Sequence, residues 1–331
     1  MKILAYHVQE YEEDAVRNWA KNNDICVDIE YGILTVDSAD KAKGYDGVTT
    51  QQVIEVKDED IYRKLKENGV KQIASRTAGV DMFDLDLAKK YGISITNVPQ
   101  YSPNAIAEFV VTHTMMLLRN INQIKAAQAK GNFKWEKKVI AKEIRNCVVG
   151  IIGTGRIGFT TAKLFKGLGA KVIGYDIYKN SEAEGVLEYV SDLETLLSES
   201  DVVSLHLPLT KDTYHLINKD NMKLMKDGAI FINTGRGALV DTEALLAELD
   251  SGHIKAAGLD VLECETLYVN QKIDKEKIEN SLVPSLMNRD DVNLTGHFAF
   301  FTETAVDNLV STSLDNIKTY IETGEVVNGM N

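Results

Sequence analysis

The sequence predicts an α/β protein of two doubly wound parallel-sheet domains, and three observations carry that prediction. Short runs rich in Val and Ile alternate with longer stretches of helical periodicity, the pattern of parallel strands joined by crossover helices. The runs fall into two groups separated by a long helical stretch. The chain has 331 residues, 44% of them hydrophobic and 26% charged, a length that supports two cores better than one.

Taken in order, the first group of strands is residues 3–6, 27–31, 47–50, 72–76 and 93–98, enough for one small parallel sheet. Tyr101-Ser102-Pro103-Asn104 then opens a helix, with Ser102 suited to the N-cap and Pro103 to the first helical position, and apolar periodicity runs on through Leu118. The second group is residues 147–152, 171–175, 202–207, 229–233, 257–261 and 292–295, a count that matches a dinucleotide-binding sheet. Residues 101–298 are therefore expected to form the second domain, and residues 302–322 read as a closing helix. There is no repeat of solenoid period, no low-complexity tract and no flexible linker. With four prolines in the chain, helical junctions are expected between the domains, which suits a hinge closing over a cleft.

Composition narrows the partners. A formal charge of −12 gives no broad basic footprint for nucleic acid or an anionic membrane. Cys26, Cys147 and Cys264 lie far apart, without the spacing of a zinc site or a disulfide framework, and read as thiols of a reducing compartment; no metal is expected. No uninterrupted apolar run approaches membrane-span length, and Met1 leads straight into a strand rather than a signal segment. The expectation is a soluble cytoplasmic protein with a small-molecule substrate.

The strand at 147–152 runs into Gly153-Thr154-Gly155-Arg156-Ile157-Gly158, and a helix follows. This is the Rossmann GxGxxG turn in its proper setting. The first glycine permits the tight turn, the second lets the backbone approach a pyrophosphate, and the third lets the helix pack on the strand. The next strand ends in Gly174-Tyr175-Asp176, with Asp176 eighteen positions beyond Gly158, near the spacing for a carboxylate that binds the adenosine ribose. That carboxylate repels a 2′-phosphate, so NAD is expected rather than NADP. The alternative, three turn glycines and a surface aspartate, leaves the register of strand, helix and acid unaccounted for.

Three later strand ends carry polar residues that a purely structural strand end does not require: Asn233-Thr234-Gly235-Arg236-Gly237, Leu259-Asp260-Val261-Leu262-Glu263-Cys264-Glu265, and Leu294-Thr295-Gly296-His297. In an open α/β sheet these carboxyl ends face the ligand crevice. Reducing a 2-oxo acid needs a cation for the carboxylate and carbonyl, a proton donor for the developing alkoxide, and a hydride. An arginine, a histidine and an acid to orient the histidine supply all but the hydride. Of the other histidines, His206 borders the expected cofactor site, His113 lies inside the long helix, and His7, His215 and His253 show no partner pattern.

On these residues the chain resembles the D-isomer-specific 2-hydroxyacid dehydrogenase family, and within it most closely the fermentative D-lactate type. The resemblance runs over essentially the whole length. It includes Thr77-Ala78-Gly79-Val80-Asp81, Asn97-Val98-Pro99, the 101–108 segment, the glycine turn, Thr234-Gly235-Arg236-Gly237, the Asp260 to Glu265 segment and His297-Phe298-Ala299-Phe300. It implies two Rossmann-like or flavodoxin-like domains with an active-site cleft between them. Residues 1–100 with 299–331 would bind substrate, and 101–298 would bind NAD. It implies that Arg236 binds the substrate carboxylate and carbonyl, that His297 is the acid in reduction, and that Glu265 holds the imidazolium. The family's acid falls five positions after the aspartate, which selects Glu265 over Glu263. Asp260 would meet the nicotinamide end of the cofactor and Thr234 would join the cofactor-binding set. Backbone N–H groups near Ala78 and Gly79 would hold the carboxylate, with Tyr101 and Phe300 lining the pocket. A homodimer is implied, with the 102–118 helix at its interface.

A His297–Glu265 pair carries a pH expectation. A neighbouring carboxylate favours the imidazolium, so reduction falls off on the alkaline side, and Glu265→Gln loses activity from a lower pH. Two departures from the family pattern stand out. Gly296 replaces the usual proline before the histidine and relaxes the backbone there. Gln51 falls at the pocket position that resembles Tyr in D-lactate enzymes and Leu in the D-2-hydroxyisocaproate type. A buried amide needs a hydrogen-bond partner, so a short substrate such as pyruvate is expected ahead of branched or aromatic 2-oxo acids. Two rivals are an NAD(H)-sensing corepressor-like protein, disfavoured by the intact Arg236, Glu265 and His297 set, and an enzyme acting on hydroxypyruvate or 3-phosphoglycerate, for which no phosphate pocket is evident.

Overall fold

The computed structural model describes residues 1–52, 54–263, 265–279 and 281–331; Cys264 lies outside them. The chain divides into two compact units, Met1–Ser102 with Phe301–Asn331, and Pro103–Phe300.

The first unit holds a five-stranded sheet of β1 (Lys2–Tyr6), β2 (Cys26–Glu30), β3 (Gly47–Thr50), β4 (Gln72–Ser75) and β5 (Ser94–Thr96), in the order β2-β1-β3-β4-β5. Every pairing is parallel. Leu4, Tyr6, Val48, Ile73 and Ile95 pack one face, and Ile3, Ala5 and Ala74 the other, against the Glu10–Asn23 and Glu303–Thr323 helices. A sheet covered on both faces is what Val- and Ile-rich runs require. The last helix starts at Thr302, whose hydroxyl accepts from the Ala305 N–H, and ends at Gly324 with φ +76°.

The second unit holds seven strands: β6 (Val148–Ile152), β7 (Lys171–Tyr175), β8 (Glu188–Tyr189), β9 (Val202–Leu205), β10 (Ala229–Asn233), β11 (Ile254–Leu259) and β12 (Val292–Leu294). Their order is β12-β11-β10-β9-β6-β7-β8, again all parallel. The winding reverses between β6 and β9, and the glycine turn leaves the sheet at that switch point, where such folds bind ligands. In the first unit the reversal lies between β1 and β3, so Gln51 follows a strand at the corresponding point.

Several strand limits differ from the sequence expectation. The fifth strand stops at Thr96 rather than residue 98, because Asn97 N–H bonds to Asn328 and Val98 N–H to Thr77 instead of the ladder. β9 stops at Leu205, two residues short of Leu207, and Pro208 has no N–H with which to extend it. β11 starts three residues early, at Ile254, and ends where Asp260 turns toward the 295–299 segment. β8 was not anticipated, since two residues give no periodicity.

The Pro103–Leu118 helix packs on β10 and β11. His113 is buried within it, its ring edge-on to Phe109, and a Cβ on Gly258 of β11 would lie 2.9 Å from the His113 Cβ. Burial lowers its imidazole from the ordinary 6.5 to about 4, with the Asp260 charge opposing in part. The folded protein therefore keeps His113 neutral where the unfolded chain takes a proton. The corresponding stability is complete above about pH 6.5 and is lost as pH falls from there toward 4. Between pH 7 and 5 the wild type is expected to lose about 2 kcal/mol more than His113→Leu, measured by chemical denaturation. No helix among the described residues is long and apolar enough to cross a membrane.

Candidate active site

The predicted cofactor residues Gly153, Gly155, Arg156, Ile157 and Gly158 share one strand-turn-helix, with β6 ending at Ile152 and the Arg156–Gly167 helix capped by Gly155. Gly153 has φ +90°, and a Cβ on it would lie 2.5 Å from the His206 carbonyl oxygen. A Cβ on Gly158 would lie 1.9 Å from the Gly153 carbonyl oxygen, so the helix sits flush on the turn. Gly155 is different: a Cβ there meets nothing within 4 Å. Packing does not demand that glycine, whereas a dinucleotide pyrophosphate approaching the backbone does. Gly155→Val is accordingly expected to leave the melting temperature within a degree or two of wild type while weakening NADH binding at least tenfold by fluorescence titration.

Asp176 follows β7. Its Oδ2 accepts from the Thr154 N–H at 2.6 Å and the Thr154 hydroxyl at 3.2 Å, and its Oδ1 accepts from the Tyr178 N–H at 2.9 Å. The glycine turn itself thus fixes the carboxylate expected to meet the ribose. Sequence reasoning missed Tyr189, whose hydroxyl lies 2.6 Å from Thr154 Oγ1 and accepts from the Asn180 N–H at 2.7 Å, bracing the same corner. His206 contacts Ser204 Oγ at 2.9 Å through Nε2, and desolvation lowers its pKa to about 3, leaving it neutral at physiological pH.

Arg236 stands on the turn after β10. Asn233, buried at the strand end, accepts from the Gly235 N–H at 3.0 Å and donates to the Arg236 carbonyl at 2.9 Å, which shapes the turn. Asn233 was not anticipated as a positioning residue. The Arg236 guanidinium donates to the Gly235 carbonyl at 2.9 Å and has no carboxylate in ion-pair range among the described residues, so its charge is uncommitted. Thr234 Oγ1 is buried and has no partner among the described residues, a vacancy that suits a polar cofactor group.

Asp260, 1% exposed, follows β11. One carboxylate oxygen accepts from Thr295 Oγ1 at 2.5 Å and the Phe298 N–H at 2.8 Å, and the other from the Ala299 N–H at 2.9 Å. Its carbonyl accepts from the His297 N–H at 2.7 Å. These bonds run to the 295–299 segment, so what the structure shows of Asp260 is that it holds the backbone around His297. That residue has φ +65°, a left-handed conformation costly for a non-glycine residue and sustained here from both sides. A Cβ on Gly296 would find its nearest neighbour at 3.5 Å, ordinary contact, so packing does not require the missing side chain.

His297 Nδ1 lies 3.3 Å from Glu265 Oε1, and the Phe300 ring stands edge-on 6.3 Å away. Glu265 Oε2 is buried without a partner among the described residues. Glu263, by contrast, pairs with His215 at 2.7 Å. His7, His215 and His253, which show no partner pattern in sequence, each meet a partner in the fold: the Gln51 carbonyl, Glu263, and Asp227 at 3.9 Å. Those partners lie tens of residues away, where no local pattern reveals them.

In the first unit, Gln51 Oε1 accepts from the Tyr11 hydroxyl at 3.3 Å, the neighbouring side chain its amide called for. The carbonyls around Ala78 and Gly79 are tied back: Asn97 Nδ2 donates to Ala78 at 2.6 Å and Thr77 Oγ1 to Gly79 at 2.5 Å. Among the described residues, no hydrogen bond uses the N–H groups of Ala78 or Gly79. The Tyr101 carbonyl accepts from Asn308 at 2.6 Å. Gln51, Ala78, Gly79 and Tyr101 thus belong to the first unit, and Arg236, Glu265, His297, Phe300 and the cofactor residues to the second.

The chain is similar over its full length to proteins of one enzyme family. The family model for the D-isomer specific 2-hydroxyacid dehydrogenase NAD binding domain matches residues 111–299. The chain is 46% identical to a D-2-hydroxyacid dehydrogenase (NAD(+)) of Clostridioides difficile, over 100% of both chains. It is 44% identical to a D-lactate dehydrogenase of Streptococcus agalactiae, again over 100% of both. A solved NAD-complexed D-isomer specific 2-hydroxyacid dehydrogenase from Lactobacillus delbrueckii ssp. bulgaricus superposes with a TM-score of 0.92 at 39% identity, covering 100% of each chain. With a glycine turn built for a dinucleotide, a histidine-acid pair and full-length likeness to these enzymes, the chain belongs to the NAD-dependent D-isomer specific 2-hydroxyacid dehydrogenase family.

Proposed function

We infer that this enzyme reduces pyruvate to D-lactate with NADH. The observation that carries the reading is the His297–Glu265 contact in a unit that also offers the uncommitted Arg236 guanidinium. The Arg236 fork binds the substrate carboxylate and polarises the carbonyl. Glu265 accepts from Nδ1–H of His297, which fixes the tautomer and leaves Nε2–H to protonate the developing alkoxide; in oxidation the same nitrogen takes that proton back. The glycine turn, Asp176 and Thr234 hold NADH, which when bound supplies the hydride. Asp260 keeps the His297 backbone in place, and Phe300, edge-on to His297, borders the substrate. Gln51, tied to Tyr11, is a polar wall that suits a substrate no larger than pyruvate.

The test is NADH oxidation against pyruvate, 2-oxobutyrate, 2-oxoisocaproate, phenylpyruvate and hydroxypyruvate, with chiral analysis of the product. Preference for pyruvate with D-lactate formed supports the reading. Preference for 2-oxoisocaproate or phenylpyruvate moves the substrate to larger 2-oxo acids, and no turnover sinks the reading in favour of a sensing role.

The reading extends to a cytoplasmic homodimer. Cys26 and Cys147 are unpaired thiols, as a reducing compartment maintains them. The outward residues of the Pro103–Leu118 helix are mainly polar, Asn104, Glu108 and Thr112, but the segment after it exposes Phe133, Trp135 and Ile140 at 72%, 102% and 74%. Apolar side chains so open are suited to cover by a second copy. Trp135→Glu is expected to shift the protein toward monomer in sedimentation velocity.

A further inference from the structure

Glu263 has no role in the mechanism above, yet both of its carboxylate oxygens are engaged. Oε1 lies 2.7 Å from His215 Nε2; Oε2 accepts from the Thr242 hydroxyl at 2.9 Å and the Thr242 N–H at 3.4 Å. We propose that Glu263 is a positioning residue that pins the segment carrying Glu265 to the turn carrying Arg236.

The two anchors are themselves fixed to that turn. The His215 N–H donates to the Ala238 carbonyl at 2.9 Å and the Ile217 N–H to the Leu239 carbonyl at 3.0 Å, both in the Gly237–Leu239 turn that directly follows Arg236. Thr242 opens the Thr242–Ser251 helix just beyond it, capped by Asp241, whose N–H bonds back to Ile217. His215 holds φ +47°, a left-handed conformation that a non-glycine residue adopts at a cost, and its ring stacks on Tyr214 at 4.0 Å.

The backbone makes the second attachment. A Cβ on Gly237 would lie 2.0 Å from the Leu262 carbonyl carbon and 2.4 Å from the Glu263 nitrogen, so the two segments touch with no side chain between them. From that peptide the Glu265 N–H donates to the Leu262 carbonyl at 3.1 Å, carrying the placement forward to the acid that meets His297. Gly237 sets the distance of closest approach, and the Glu263 side chain holds the segment against it.

The Glu263 and His215 side chains are 32% and 29% exposed. A partly solvated pair of this kind contributes little to global stability. Small displacements of a catalytic group, however, cost rate steeply. Loss of Glu263 should therefore be read in turnover more than in unfolding.

The proposal rests on the reading that Glu265 orients His297, so Glu265→Gln is measured beside it. For Glu263→Ala, kcat for pyruvate reduction is expected to fall roughly 10- to 100-fold. The KM for pyruvate and the Kd for NADH should stay within about twofold. Glu263→Gln, of equal length and still an acceptor for Thr242, should recover most of the rate. His215→Ala should lower kcat in the same sense and add nothing in the double variant with Glu263→Ala, and it serves as the test should Glu263→Ala not fold. Full kcat in Glu263→Ala overturns the proposal. If Glu265→Gln is impaired in that case, the mechanism survives without it; if it is not, the mechanism falls too. A loss confined to melting temperature, or shared equally with NADH affinity, also overturns it.

Discussion

Changing His297 to Gln is expected to lower kcat for pyruvate reduction by about a hundredfold to ten-thousandfold, the range of a positioned general acid. NADH affinity should be unchanged, since the glycine turn and Asp176 do not depend on the imidazole. Stability should change little, because the side chain is 34% exposed and the backbone is held by Asp260 whatever residue stands there. Stopped-flow single turnovers separate this from a binding defect: the variant should form the NADH complex at the normal rate and then fail in the chemical step. Glu265→Gln should be milder, because the amide oxygen can still accept from His297 Nδ1 but carries no charge. A His297→Gln enzyme within threefold of wild type would remove the histidine from the mechanism.

The largest stability effect is expected in the first unit, at Glu12. Arg76 is fully buried; its Nε donates to Glu12 Oε1 at 2.7 Å and its Nη2 to Glu12 Oε2 and to the carbonyls of Tyr6 and His7 at 3.1 Å each. Glu12 also accepts from the Gln9 N–H at 3.0 Å, closing the capping box of the first helix. One buried carboxylate therefore joins a helix start to the ends of β1 and β4. Glu12→Ala leaves the guanidinium buried and uncompensated and should destabilise the first unit by about 3–5 kcal/mol. Trp19, buried in that unit, reports the unfolding by fluorescence in urea. Arg76 directly precedes Thr77-Ala78-Gly79, so the gentler Glu12→Gln is expected to raise the KM for pyruvate before it unfolds the enzyme.

The parts legible in the sequence are those whose signal is local. The glycine turn could be read because three glycines, a strand and a helix lie within twenty residues, and Asp176 follows at a fixed distance. The two sheets could be read because each strand is a short apolar run, although their ends could not. Where β5 stops is decided by hydrogen bonds to Thr77 and Asn328, neither of them a neighbour in sequence. Arg76 read as the last residue of a strand because its partner Glu12 is 64 positions away. Glu263 read as the discarded alternative to Glu265 because His215 and Thr242 come near it only through the folded turns around Gly237. Side-chain braces such as Asn233 and Tyr189 escaped for the same reason, since a polar residue at a strand end has no periodic signature.

The clamp formed by Asp260 has an evolutionary corollary. It sets the histidine backbone from within the second unit, and Glu265 meets the ring from the same unit, so on the proposed mechanism the proton donor and its supports all lie in one unit. Gln51 and Tyr101 hang on the other sheet, whose folding depends on its own ion pair and core. On that reading, changes at Gln51 and Tyr101 leave the acid and its support untouched. A library confined to positions 51 and 101 should yield altered preferences with undiminished proton transfer, which makes this scaffold readily evolvable.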